Sequence, residues 1–178
     1  MTNAMSGLAT GAKGNDHEQT VHTPDVILDV CREVFGGTIA MDPCASFGNE
    51  FAVENLYGPG HAARSFSLTS DRDGLKEVWT DGTYWNPPYK YLKAWMAHAR
   101  KQPIEHIGLF PVRTNRQWWC DYMLTEVDRI AYLKPLKFKG YTQAFPAPLV
   151  LVYRGPNGDA FEGAVRGRNL ACTVAGPL

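Results

Sequence analysis

Asn86-Pro87-Pro88-Tyr89 brings a carboxamide, two ring-constrained peptide units and a phenol together within four residues. The Asn86 oxygen can accept one hydrogen bond and the Pro87 carbonyl a second, so the pair can hold both N–H bonds of a planar amino group without a carboxylate. Such a nitrogen is a poor nucleophile because its lone pair is delocalised. Methyl transfer to it requires alignment behind an electrophilic methyl while charge develops. Pro87 and Pro88 restrict their own φ angles, and Pro88 pushes Pro87 out of the helical region, so the carbonyl is close to preset. Tyr89 adds a ring that can stack on a planar substrate, a contact worth roughly 1–3 kcal/mol for a nucleobase. A proline turn headed by asparagine would explain the same letters. Average composition makes a chance match rare, on the order of 1 in 10³. The tetrapeptide alone leaves amino groups of DNA, RNA and protein equally open.

Three other segments carry weaker signals. Asp42-Pro43-Cys44-Ala45 follows a short apolar run, where an acidic residue can bind a cofactor amine or hydroxyl and small residues permit close approach; a capped loop accounts for it about as well. Asp73-Gly74 reads as a turn with a possible cofactor contact, and Thr23-Pro24 as a helix cap with proline in the first turn. None of the five histidines has partners at metal-site spacing, so no metal is expected.

The elements that must position these residues follow from periodicity. Val26, Ile27, Val30, Val34 and Phe35 recur at helical spacing after Thr23-Pro24, and Gly36-Gly37 ends that helix. Ile39-Ala40-Met41 reads as a strand. A short helix is expected near 49–55, a strand around Ser65-Leu68, and a loop carrying Asp71, Asp73 and Gly74. Thr83-Tyr84-Trp85 is a core strand that delivers Asn86, followed by an amphipathic run over 90–100. Ile104 to Phe110 is the next strand, ended by Pro111, and a helix follows around 116–124. Arg129–Leu133 and Leu149–Tyr153 are late strands, and the glycine-rich last 25 residues carry no clear pattern. Strand and helix alternating in this way favour an α/β sandwich with a largely parallel sheet.

Size and charge set outer bounds. The 178 residues suit one domain, over 21–178, with residues 1–20 as a peripheral N-terminal arm. Lys+Arg and Asp+Glu both total 18, which removes whole-protein attraction to nucleic acid and leaves only a local basic face. The cysteines at 31, 44, 120 and 172 read as reduced thiols of a cytoplasmic protein, with no secretory or membrane segment expected.

Taken in order, these motifs resemble the phage-type DNA N6-adenine methyltransferases, small S-adenosylmethionine-dependent enzymes. The similarity spans about residues 22–153: His22-Thr23-Pro24, Asp42-Pro43-Cys44-Ala45, Asp73-Gly74-Leu75 with Trp79, Trp85-Asn86-Pro87-Pro88-Tyr89, Trp95, Pro111-Val112-Arg113-Thr114 with Trp118-Trp119, and the basic stretch Lys134 to Lys139. The resemblance implies a Rossmann-like class I methyltransferase fold, its central sheet mostly parallel with an antiparallel late strand. It places S-adenosyl-L-methionine near Thr23, Pro24, Asp42, Pro43, Cys44, Asp73 and Asn86. It assigns catalysis to Asn86, Pro87, Pro88 and Tyr89, with a flipped adenine of double-stranded DNA as substrate. The first loop departs from the glycine-spaced pattern of broader methyltransferases, having Asp42 to Gly48 in its place, and the residue holding the cofactor ribose is Glu50 or Glu54. Arg113, Arg116, Trp118 and Trp119 form the best aromatic-basic cluster, with Lys134, Lys137 and Lys139 available to phosphates. The resemblance also points to a phage or prophage source, as monomer or homodimer. Two rivals share the motif: a protein glutamine N5-methyltransferase, whose amide nitrogen is equally planar, and a non-catalytic binding member of the fold.

Overall fold

The computed structural model describes residues 21–45, 51–56 and 73–176. The expected N-terminal arm, the strand around Ser65-Leu68, Asp71 and Glu50 lie outside these residues. Helix α1 covers Asp25–Val34, with Asp25 in its first turn and Arg32 in its last, each charge favourably placed on the helix dipole. Pro24 occupies the N-cap position in extended conformation (φ −63°, ψ 143°), and its carbonyl accepts from the Ile27 N–H at 3.0 Å. Thr23 therefore lies outside the helix and makes no side-chain cap. This corrects the expected capping role.

Strand β1 is Met41–Asp42 and β2 is Glu54–Asn55, paired in parallel. Residues 51–55 were expected to be helical. Their backbone instead pairs with the chain around β1, since the Val53, Glu54 and Leu56 N–H groups donate to the carbonyls of Ile39, Ala40 and Asp42 at 2.8–3.0 Å. Non-local ladder bonds override the local pattern. Strand β3 is Thr83–Trp85, followed by a 3-10 turn at Tyr89–Tyr91 and helix α2 at Leu92–Ala99. Then come β4 (His106–Pro111), helix α3 (Gln117–Thr125), β5 (Arg129–Leu133) and β6 (Leu149–Arg154). The glycine-rich end, without clear pattern in the sequence, forms helix α4 (Gly158–Gly167) and strand β7 (Ala171–Ala175).

The sheet order is β2-β1-β3-β4-β6-β5-β7. Pairings from β2 through β4 are parallel and those from β4 through β7 antiparallel, so β1 to β5 run one way and β6 and β7 run against them. The expected antiparallel late strand is present as β6, joined by a second, β7. The mixed α/β sheet is compatible with a Rossmann-like fold. Helices cover both faces. Ile27, Val30 and Val34 of α1 and Phe161, Ala164 and Val165 of α4 pack on Tyr84, Ile107, Leu109 and Leu151. Leu92, Trp95 and Met96 of α2 and Trp119, Tyr122 and Met123 of α3 pack on Trp85, Phe110, Ile130 and Val150. Period-2 alternation sorts side chains between the faces: Tyr84 faces α1 and Trp85 faces α2. Gly108 sits beside Trp85 in the β3–β4 register because a Cβ there would meet the indole at 2.6 Å.

Among the described residues no helix is long and apolar enough to cross a membrane. All four cysteines are free.

Candidate functional site

The carboxyl ends of β1, β3 and β4 and the chain entering β6 meet at one edge of the sheet, where ligands of open α/β sheets bind. Asp42 ends β1, Asn86 follows β3, and Arg113 follows β4 two residues beyond Pro111. The Val112 N–H donates to the Pro148 carbonyl at 3.0 Å, so segment 134–148 returns to the same edge.

Asp42 is only 4% exposed. Its Oδ1 accepts from the Cys44 N–H at 2.9 Å, folding the loop back on its own carboxylate. Burial pushes its pKa up to about 7, and the Cys44 N–H offsets part of that rise. Cys44 is buried too, which raises its thiol pKa, with the nearby Asp42 carboxylate adding to the rise and the Asn86 backbone offsetting part of it. Asp73 is half-buried and organises its own turn, with Oδ1 accepting from the Leu75 N–H at 3.0 Å. That turn presses on the Asp42 loop: a Cβ on Gly74 would lie 2.0 Å from the Pro43 carbonyl oxygen. Trp79 secures the turn from behind, its indole N–H donating to the Gly74 carbonyl at 2.8 Å. Two segments separated by thirty residues thus form one wall. The requirement for glycine at 74 arises from this contact, since no positive φ is present there.

Asn86 is half-buried and held at both ends of its carboxamide. The Tyr89 hydroxyl donates to Asn86 Oδ1 at 3.1 Å, and Asn86 Nδ2 reaches Thr23 Oγ1 at 3.5 Å. Thr23, 2% exposed, also lies 3.0 Å from the Tyr84 hydroxyl. Pro87 and Pro88 are buried, with Pro88 extended at φ −56°, ψ 116°. The Pro88 carbonyl accepts from the Tyr91 N–H at 2.9 Å to start the 3-10 turn, which leaves the Pro87 carbonyl one residue ahead of it. Burial raises the Tyr89 pKa while nearby Arg113 pulls it back, so Tyr89 remains a neutral phenol and a donor. Its ring packs edge-on against Phe145, centroids 5.6 Å apart, and Phe145 packs in turn on Phe138.

Residues 135–139 alternate like an extended chain. Leu136 and Phe138 point into the core, and Lys137 and Lys139 point out. Lys139 pairs with Asp25 at 2.6 Å, Lys134 donates to Asn169 Oδ1, and Lys137 is exposed. The aromatic-basic cluster is divided. Trp119 is 4% exposed in the core beneath α3, Trp118 is half-buried, and Arg113 and Arg116 flank the start of that helix. Glu54 lies in β2, half-buried, one strand away from Asp42.

Tyr84 and Phe145 complete the site although no local motif marks them. Tyr84 reads as an ordinary strand aromatic, and Phe145 lies 56 residues beyond Tyr89 in a segment that carries both lysines and prolines. At the opposite edge of the sheet, a depression of ≈ 430 Å³ is lined by Asp81, Glu105 and Asp128 with Arg154. Its carboxylates serve structure. Asp81 accepts from the Glu105 N–H at 2.7 Å, Glu105 from the Tyr153 hydroxyl at 2.5 Å, and Asp128 from the Gly155 N–H at 2.8 Å.

No protein-family model matches this chain. No curated protein matches it significantly.

Proposed function

We propose that the protein transfers a methyl group from S-adenosylmethionine to the N6 amine of adenine in double-stranded DNA. The observation that carries this reading is the placement of Asn86-Pro87-Pro88-Tyr89 directly after β3, beside β1 and the loop of buried Asp42 at the same sheet edge. An amide oxygen has two lone pairs, so Asn86 Oδ1 can take an amine N–H in addition to, or in place of, the Tyr89 hydroxyl. The Pro87 carbonyl supplies the second acceptor. On this reading the methyl donor lies against the wall formed by Asp42, Pro43, Cys44 and Asp73. Its sulfonium supplies the electrophilic methyl, and the protein residues align the amine and exclude water. Arg113, Arg116 and exposed Lys137 supply phosphate contacts at the same edge, which favours a nucleic acid over a glutamine side chain.

The test is incubation with labelled S-adenosylmethionine and unmethylated duplex DNA, followed by nucleoside analysis. N6-methyladenine that disappears in Asn86→Ala is the expected result. Firm cofactor binding without transfer to any duplex would reject the reading, and label recovered in a glutamine-containing protein would favour the amide methyltransferase.

A further inference from the structure

We infer that Thr23 and Tyr84 are positioning residues that set the plane of the Asn86 carboxamide, an inference that rests on the functional reading above. Tyr84 faces α1 from within β3, and Asn86, directly after the strand, turns its carboxamide to the same side. There they meet the residue that precedes α1. Thr23 Oγ1 lies 3.0 Å from the Tyr84 hydroxyl and 3.5 Å from Asn86 Nδ2, forming a chain of three polar groups across 61 and 63 residues of sequence.

Each member of the chain is held by its surroundings. Tyr84 is fully buried, and its ring meets Phe51 edge-on at 5.7 Å. Thr23 is almost fully buried and is followed at once by Pro24, whose extended conformation begins α1. The terminal torsion of an asparagine is broad, so strand geometry alone does not set where Oδ1 points. A hydroxyl with one proton and two lone pairs can serve Asn86 and Tyr84 together, which defines that torsion. Tyr89 grips the other end of the same amide, but a stacking role requires its ring to shift when a base enters. The Thr23–Tyr84 side is enclosed in the core and does not depend on substrate. Thr23 thereby acts through Asn86 rather than on the methyl donor.

Three substitutions separate this role from packing. Thr23→Val keeps the shape and removes the hydroxyl, Thr23→Ser restores it, and Tyr84→Phe deletes only the phenolic oxygen. Thr23→Val is expected to lower kcat about 10-fold with KM for both substrates within about 2-fold, the pattern of lost alignment. Thr23→Ser should recover most of the rate, and Tyr84→Phe should fall between. A raised KM for S-adenosylmethionine with unchanged kcat would make Thr23 a cofactor contact and overturn the inference. A second readout is independent of turnover. The Asn86 side-chain NH2 signals, identified by their loss in Asn86→Ala, should exchange faster with solvent in Thr23→Val and recover in Thr23→Ser. Unchanged exchange in both Thr23→Val and Tyr84→Phe would also overturn it. Absence of methyl transfer by the wild-type protein would reject the functional reading and the catalytic part of this inference. The amide signal would still show whether Thr23 holds Asn86, so the two failures are distinguishable.

Discussion

The Tyr89 hydroxyl donates to Asn86 Oδ1 at 3.1 Å, so one residue of the motif occupies the acceptor that another residue offers. The same phenol packs its ring edge against Phe145. A planar amine entering the site can share Asn86 Oδ1 with that hydroxyl through its second lone pair, but it meets a ring already packed against Phe145.

These two contacts predict different outcomes for two substitutions. Tyr89→Phe keeps the ring and releases Asn86, so target binding should change little. Tyr89→Ala removes a stacking surface worth roughly 1–3 kcal/mol, about 5- to 150-fold in target-base affinity. Binding of duplexes containing a fluorescent adenine analogue would measure both, with S-adenosylmethionine affinity unchanged in each. Equal loss in the two variants would refute the stacking role.

Asp42 and His106 tilt stability in opposite directions with pH. Burial raises Asp42 from 3.8 to about 7, so its contribution is full below pH 3.8 and is lost as pH rises through about 7. Burial, with Arg154 adding to it, lowers His106 from 6.5 to about 3, so its contribution is full above pH 6.5 and is lost as pH falls through about 3. The two slopes oppose each other between pH 3.8 and 6.5. Asp42→Asn keeps an acceptor for the Cys44 N–H and cannot ionise. Its stability relative to wild type should therefore climb by about 1.4 kcal/mol per pH unit from about pH 4 to about 7. Urea titrations across that range would show it, and a constant difference would mean that Asp42 titrates normally. If Asp42 meets the ammonium of the methyl donor, binding at pH 7 should also release a proton, detectable by calorimetry in buffers of different ionisation enthalpy.

Gly74 and Gly163 should respond to alanine with opposite signs. At 74 the new methyl would lie 2.0 Å from the Pro43 carbonyl oxygen, so the Asp73 turn must separate from the Asp42 loop. A loss of about 1–3 kcal/mol is expected, together with weakened S-adenosylmethionine binding. Gly163 lies within α4 with nothing within 4 Å of a Cβ, and Gly163→Ala should stabilise by up to about 1 kcal/mol. Thermal melting of the pair, with a cofactor titration, tests both.

The basic residues at the site edge should separate by their present partners. Lys137→Ala and Arg116→Ala remove exposed cations, and each should reduce the salt-dependence slope of duplex binding by about 0.9 per lost phosphate contact. Lys139 is already paired with Asp25, so Lys139→Ala should change that slope less and cost at most about 1 kcal/mol of stability. Fluorescence anisotropy over a range of salt concentrations would rank the three. A slope change for Lys139 equal to that for Lys137 would show that its ion pair opens on DNA.

Apolar runs made much of the fold legible. The strands at 83–85, 106–111, 129–133 and 149–154 and the helices after Pro24, Tyr91 and Arg116 follow patterns visible without a structure. Helix α4 was obscured because Gly158, Gly163 and Gly167 dilute a pattern still present in Phe161, Ala164 and Val165. Residues 51–55 are not helical because Glu54 and Asn55 pair with β1, a partner that local propensity cannot report.

The candidate site divides along the same line. By itself the sequence determined the composition of the amine-holding motif, its preset proline backbone and its place after a core strand, because these depend on neighbouring residues. Only the tertiary structure decided that Thr23 meets Tyr84 and Asn86 rather than capping a helix, that Gly74 presses on Pro43, and that Phe145 packs on Tyr89. These contacts join residues 31 to 63 positions apart. They exist only because parallel pairing gathers the strand ends at one edge, where burial then turns a threonine, a glycine and a phenylalanine of ordinary local character into parts of a single site.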